Sequence, residues 1–118
     1  MFRVSFIFLL GLVLFACSGE PSVKKPDDLL SQEQMVEVLY EMGLTEAAYH
    51  GRTREDTLAL EKFKQRIVFN YEELGITREQ FESSYDYYMH QPEELVKIYN
   101  EVLARYSTRI SEVEEEID

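Results

Sequence analysis

An apolar run that stops at the only cysteine of the chain constrains this sequence more than any other feature. Residues 4–16 are almost wholly apolar (Phe6, Ile7, Phe8, Leu9, Leu10, Leu12, Val13, Leu14, Phe15), follow one positive charge at Arg3, and lead into Cys17. An apolar stretch of ~7–15 residues behind a short basic start is the layout of a secretory signal peptide. A membrane-spanning helix needs about 20 apolar residues at 1.5 Å rise each, so this run is too short for a comfortable anchor. A lone cysteine in an exported chain has no intramolecular partner with which to oxidise. Whatever folds after Cys17 must do so without a disulfide.

Leu14-Phe15-Ala16-Cys17 resembles the lipobox of bacterial lipoproteins. The resemblance implies that residues 1–16 are a leader cleaved between Ala16 and Cys17. The sulfur of Cys17 would carry a diacylglycerol, and its new amino group would take a fatty acyl chain such as palmitate. Ala16 is the small residue this cleavage wants and Leu14 fits the aliphatic position, whereas Phe15 departs from the usual small or β-branched residue. The competing reading is an uncleaved short anchor with an incidental cysteine. At ~0.8 kcal/mol per buried methylene, two or three acyl chains hold a protein stably on a membrane. Ser18 stands where some lipoproteins carry an aspartate that retains them in the inner membrane, so the expected location is the outer membrane. The sequence leaves open whether the domain faces the periplasm or the outside.

About a hundred residues follow Cys17, enough for one small domain. Glycine and proline are few and helix formers dominate, which favours an all-α fold. The chain holds 12 Lys/Arg against 23 Asp/Glu, a net charge of −11, and loss of Arg3 with the leader makes it one unit more acidic. Such a charge repels nucleic-acid phosphates and anionic headgroups, so no nucleic-acid partner is expected. Residues 18–28 (SGEPSVKKPDD) contain Pro21, Pro26 and one apolar residue, Val23. With Cys17 they read as a tether over residues 17–28, roughly 18 Å end to end as a coil and about 36 Å at full stretch.

The helical domain is expected over residues 29–111. Ser31 and Gln34 form a capping-box pattern, with Leu29-Leu30 placed to staple onto the first turn. The first helix then runs to about Tyr49 with Met35, Val38, Leu39, Met42 and Tyr49 on one face; alternatively it ends at Gly43 and Thr45 caps a second piece. A second helix spans about 55–74 with the stripe Leu60, Phe63, Ile67, Tyr71 and Leu74, and Gly75 is placed as a left-handed cap followed by Ile76. Thr77 and Gln80 repeat the capping-box pattern ahead of a third helix to about His90, where Phe81, Tyr85 and Tyr88 share a face. Pro92 opens a fourth helix with the stripe Leu95, Ile98, Tyr99, Val102, Tyr106, Ile110 and Val113. Residues 112–118 are an acidic tail at the negative end of that helix, where fraying is expected.

Pro26, Leu30, Met35 and Leu39, then Gly75-Ile76-Thr77, Phe81, Ser84, Tyr88, Pro92-Glu93-Glu94-Leu95 and Ile98-Tyr99 resemble a family of small Bacteroidota lipoproteins built on a domain of unknown function, numbered 4296. The resemblance covers Pro26 to Tyr106, and residues 77–102 are its specific part. It implies a cell-envelope location and a helical fold, and it implies no activity.

Nothing in the sequence builds a catalytic centre, and the chain is not expected to be an enzyme. His50 and His90 stand apart, without the i, i+4 histidines or cysteines of a zinc site, so neither a metal nor a cofactor is expected. Ser83 and Ser84 lack a glycine elbow and a paired base. The carboxylates read as a solvated face, and the tail lacks an EF-hand pattern. Phe69 and Tyr87 lie off the apolar stripes of their helices and are the candidate interface residues. For Phe69, about 180° from its stripe, two arrangements compete. Either the second helix is central with the first packed on the Phe69 side, which the scarcity of large side chains favours, or Phe69 anchors a partner. The expected protein is a lipid-anchored envelope component that acts through an envelope protein partner as an accessory or assembly subunit. The alternative is a periplasmic chaperone or a carrier of lipid or another small ligand.

Overall fold

A computed structural model describes residues 23–118; the leader, the Ala16-Cys17 cleavage site and the first part of the tether lie outside the described residues. Four helices follow one another, α1 (Gln32–Tyr49), α2 (Thr57–Leu74), α3 (Arg78–Met89) and α4 (Pro92–Ile117), and no strand occurs among the described residues. The chain is an all-α bundle.

Local chemistry sets the boundaries. The Ser31 hydroxyl accepts from the Gln34 N–H at 3.1 Å, and the Gln34 side chain accepts from the Ser31 N–H at 2.9 Å, a complete capping box. At α2 the cap is Asp56, whose carboxylate accepts from Leu58 and Ala59, so the helix begins two residues later than its apolar pattern suggests. Gly75 closes α2 at φ +66°, and the Ile76 N–H returns to the Tyr71 carbonyl at 3.1 Å. Thr77 caps α3 through the Gln80 N–H, but the box is only half made. The Gln80 side chain reaches away to the Asp28 carbonyl at 2.9 Å instead.

The centre of the bundle is α1, not α2. Tyr49 meets Phe63, with ring centroids 5.8 Å apart, and Thr45 meets Asn70, so α1 and α2 run antiparallel. Val36 lies near Ile98 and Gly43 meets Tyr106, so α1 and α4 run in the same direction. With partners on both sides, α1 buries Met35, Val36, Val38 and Thr45. The core is completed by Leu30, Ile76, Tyr88, Ile98 and Val102. In α2, by contrast, only Ala59 and Asn70 are fully buried, and its expected stripe is half-buried. The arrangement with α2 in the middle is therefore overturned.

Helix α1 is continuous through Gly43, and the reason lies across the bundle. A β-carbon at residue 43 would collide with the Tyr106 hydroxyl, which donates to the carbonyls of Tyr40 at 3.2 Å and Leu39 at 3.5 Å. The Tyr106 ring also packs against Tyr40, with centroids 5.1 Å apart. Glycine costs ~1 kcal/mol of helix propensity against alanine, and here it leaves room for the Tyr106 hydroxyl of α4 against α1. Two further expectations are corrected at α4. The helix persists to Ile117 across the acidic segment, and Ile110 and Val113 face solvent rather than the core.

Candidate functional site

The most specific polar construction in the domain holds the segment that enters it. Asp28, Leu29 and Leu30 precede α1 without regular structure, so their backbone groups need partners from elsewhere. Helix α3 supplies them from one face at positions i, i+4 and i+8. Gln80 donates to the Asp28 carbonyl, the Ser84 hydroxyl accepts the Leu30 N–H at 3.0 Å, and the Tyr88 hydroxyl donates to the Leu30 carbonyl at 2.7 Å. Ser84 and the Leu30 side chain are fully buried, and Tyr88 nearly so. Burial, and next the neighbouring Tyr87, push the Tyr88 hydroxyl above its ordinary pKa, so it stays a donor. A turn closed by the Leu29 N–H on the Pro26 carbonyl, at 3.3 Å, leads into this segment.

A second buried polar group joins α1 to α2. Asn70 donates to the Thr45 hydroxyl at 2.8 Å, and Thr45 donates in turn to the Glu41 carbonyl at 2.9 Å. Sequence reasoning missed this pair, although each residue interrupts an apolar stripe: Thr45 between Met42 and Tyr49, Asn70 between Ile67 and Leu74. Between α3 and α4, the hydroxyls of Tyr85 and Tyr99 share a 2.7 Å hydrogen bond. Burial, and then that bond, push the Tyr99 hydroxyl up to about 12.

The residues considered for chemistry are scattered. Ser84 is committed to Leu30, and Ser83 donates to the Gln80 carbonyl of its own helix. His90 closes α3, with Nδ1 at 2.9 Å from the Asp86 carbonyl, and His50 is exposed in the α1–α2 loop. Among the described residues, no three His, Cys, Asp or Glu side chains gather as metal ligands. The depressions on the surface are open. One of about 490 Å³ beside the α1–α2 loop is lined by Arg52, Glu55, Asp56 and Lys62 as well as apolar Leu58. No described helix is long and apolar enough to cross a membrane.

Of the two candidate interface residues, Phe69 is 43 % exposed, with the Arg66 guanidinium 4.9 Å above its ring. It lies outside the core because α1 occupies the Asn70 side of α2. Val68 beside it and Leu58 at the start of the helix are also exposed. Tyr87 is half-buried, edge-on to Tyr88 with centroids 5.5 Å apart, and packs on the margin of the core. The two residues lie on different helices, α2 and α3.

Neither a curated protein nor a solved structure matches the chain. One family model does, described as a domain of unknown function (DUF4296), and it matches residues 26–112. The match begins at the Pro26–Leu29 turn and takes in the Leu30 clamp, α1, α2, α3 and most of α4. The chain therefore belongs to the DUF4296 family of domains of unknown function.

Proposed function

We propose that the protein is exported, acylated on Cys17 and held on the outer membrane, where it works by contact with other envelope proteins as an accessory or assembly subunit. The observation that carries this reading is Leu14-Phe15-Ala16-Cys17 behind a short apolar leader in a chain with no other cysteine. The anchor is then lipid, and the domain stands off the bilayer on its tether. The Leu30 clamp supports the same reading, because it fixes where the tether leaves the bundle and lets a pull on the anchor reach α3. Exposed apolar side chains such as Phe69 and Val68 suit a protein that works through its surface.

A carrier of lipid or another small ligand would call for an enclosed apolar cavity, and the depressions described above are open and mixed in character. A chaperone role is separated by experiment. Membranes from cells expressing a tagged full-length chain are crosslinked, and the captured proteins are quantified. One partner at fixed stoichiometry agrees with the proposal; a broad spread of unrelated clients would replace it with the chaperone reading.

A further inference from the structure

We propose that α4 carries a self-association seam, and that a second copy of this chain docks on it in parallel and in register. The apolar residues that α4 leaves in solvent are not scattered. Val96, Leu103, Ile110 and Ile117 recur every seven residues, and they are 58 %, 60 %, 59 % and 79 % exposed. Tyr99, Tyr106 and Val113 recur at the same interval, three residues after each of the first three. Together they are the a and d positions of three heptads, an apolar repeat of 3.5 residues. Packing inside a globular bundle asks instead for a 3.6-residue stripe, which α4 also has in Leu95, Ile98 and Val102. The two patterns occupy neighbouring faces of one helix. The second is covered by α1 and α3, which also hold the d residues Tyr106 and Tyr99, so the first is open along its a positions and, beyond Tyr106, at Val113.

The C-terminal half of α4 shows why a cover is needed. From residue 107 to residue 118 every side chain is exposed, so about 16 Å of helix continues without a core beneath it. An isolated helix this short is marginal in water. This one also sets Glu114, Glu115, Glu116 and Asp118 at its negative end, with no basic residue in the last turn. Burying Ile110, Val113 and Ile117 against a partner helix supplies what the local sequence withholds.

The seam itself specifies a second copy. The charges that flank its last heptad are what fit a parallel copy. In a parallel pair the g residue of one helix faces the e residue five positions later on the other. Arg109 is at g and Glu114 is at e, so an in-register dimer sets each arginine against the second copy's glutamate, twice by symmetry. The present partner of Arg109 is Glu112 of its own helix at 3.5 Å, an exposed pair that leaves other guanidinium donors free. In a chain of net charge −11, this is the point where two acidic copies attract.

Cysteine crosslinking of the full-length chain in intact cells tests the proposal. Ile110→Cys and Ile117→Cys are expected to form same-residue disulfide dimers on mild oxidation, while Glu115→Cys on the outer face does not. The parent with Cys17 alone, run beside them, reads any dimer formed through that residue. Adding Arg109→Glu to Ile110→Cys should lower the dimer yield about fivefold, and further adding Glu114→Arg should restore it. Dimers at only one of the two isoleucines would indicate an antiparallel pair and overturn the parallel register. Crosslinks only to other proteins, equal yield at Glu115, or no dimer at all would overturn self-association.

Discussion

The hydroxyl of Tyr106 occupies the space that a β-carbon on residue 43 would need, and it donates to two carbonyls of the turn just before that glycine. This contact locks the long α4 onto the central α1. Gly43→Ala should therefore destabilise the domain by about 1–3 kcal/mol, even though alanine is the better helix former. In a Tyr106→Phe background the same substitution should cost less, because the colliding atom is gone. Denaturant titrations of the four proteins measure the coupling. A stability gain from Gly43→Ala alone would show that the two helices do not approach as described.

The Leu30 clamp makes a prediction about a residue outside any helix. Its amide should exchange slowly with solvent, as the core amides do. Ser84→Ala leaves that N–H buried without an acceptor and should cost about 1–3 kcal/mol, with protection at Leu30 lost first. Fast exchange at Leu30 in the unaltered protein would contradict the clamp.

At Phe69 the expected effect is small. The side chain is half in solvent and its named contact is the Arg66 guanidinium, an arrangement worth about 0.5–1 kcal/mol at an exposed site. Thermal melts of Phe69→Ala should shift little. A loss of about 3–5 kcal/mol, the range for a core phenylalanine, would return α2 to the middle of the bundle.

Alkaline pH should unfold the domain earlier than its carboxylate-rich composition suggests. Burial raises the hydroxyls of Tyr71, Tyr88, Tyr99 and Tyr106 above their ordinary value of 10.0, that of Tyr99 to about 12. The folded state then holds protons that the unfolded chain releases. This contribution is complete below pH 10 and is lost as pH rises toward 12. Tyr99→Phe should flatten the decline in denaturation midpoint across that window. A midpoint that stays constant from pH 9.5 to 11.5 on the unaltered protein would contradict the burial of these hydroxyls.

The elements were legible in the sequence because each boundary carries its own local signal. Ser31 with Gln34 starts α1, Gly75 ends α2, and Pro92 opens α4. The packing order was not legible, because it is decided by contacts between residues far apart in the chain. Gly43 reads as a weak point until Tyr106 is beside it, and Thr45 reads as a second cap until Asn70 reaches it. Helix α2 carries Leu58 and Phe69 away from its apolar stripe, yet α1 takes the centre, since α2 and α4 flank it on two sides. Phe69 was misplaced for that reason alone. At Ser84 the partner is the Leu30 backbone 54 residues earlier, a pairing that has no signature in the sequence.

The proposed lipid anchor sits on Cys17, and intact-mass and peptide mass spectrometry of the protein purified from membranes tests it directly. The predicted result is a mature chain that begins at Cys17 and carries a diacylglycerol with an additional acyl chain, while Cys17→Ser accumulates as unprocessed precursor. A dominant species that still begins at Met1, with an unmodified cysteine, would contradict it.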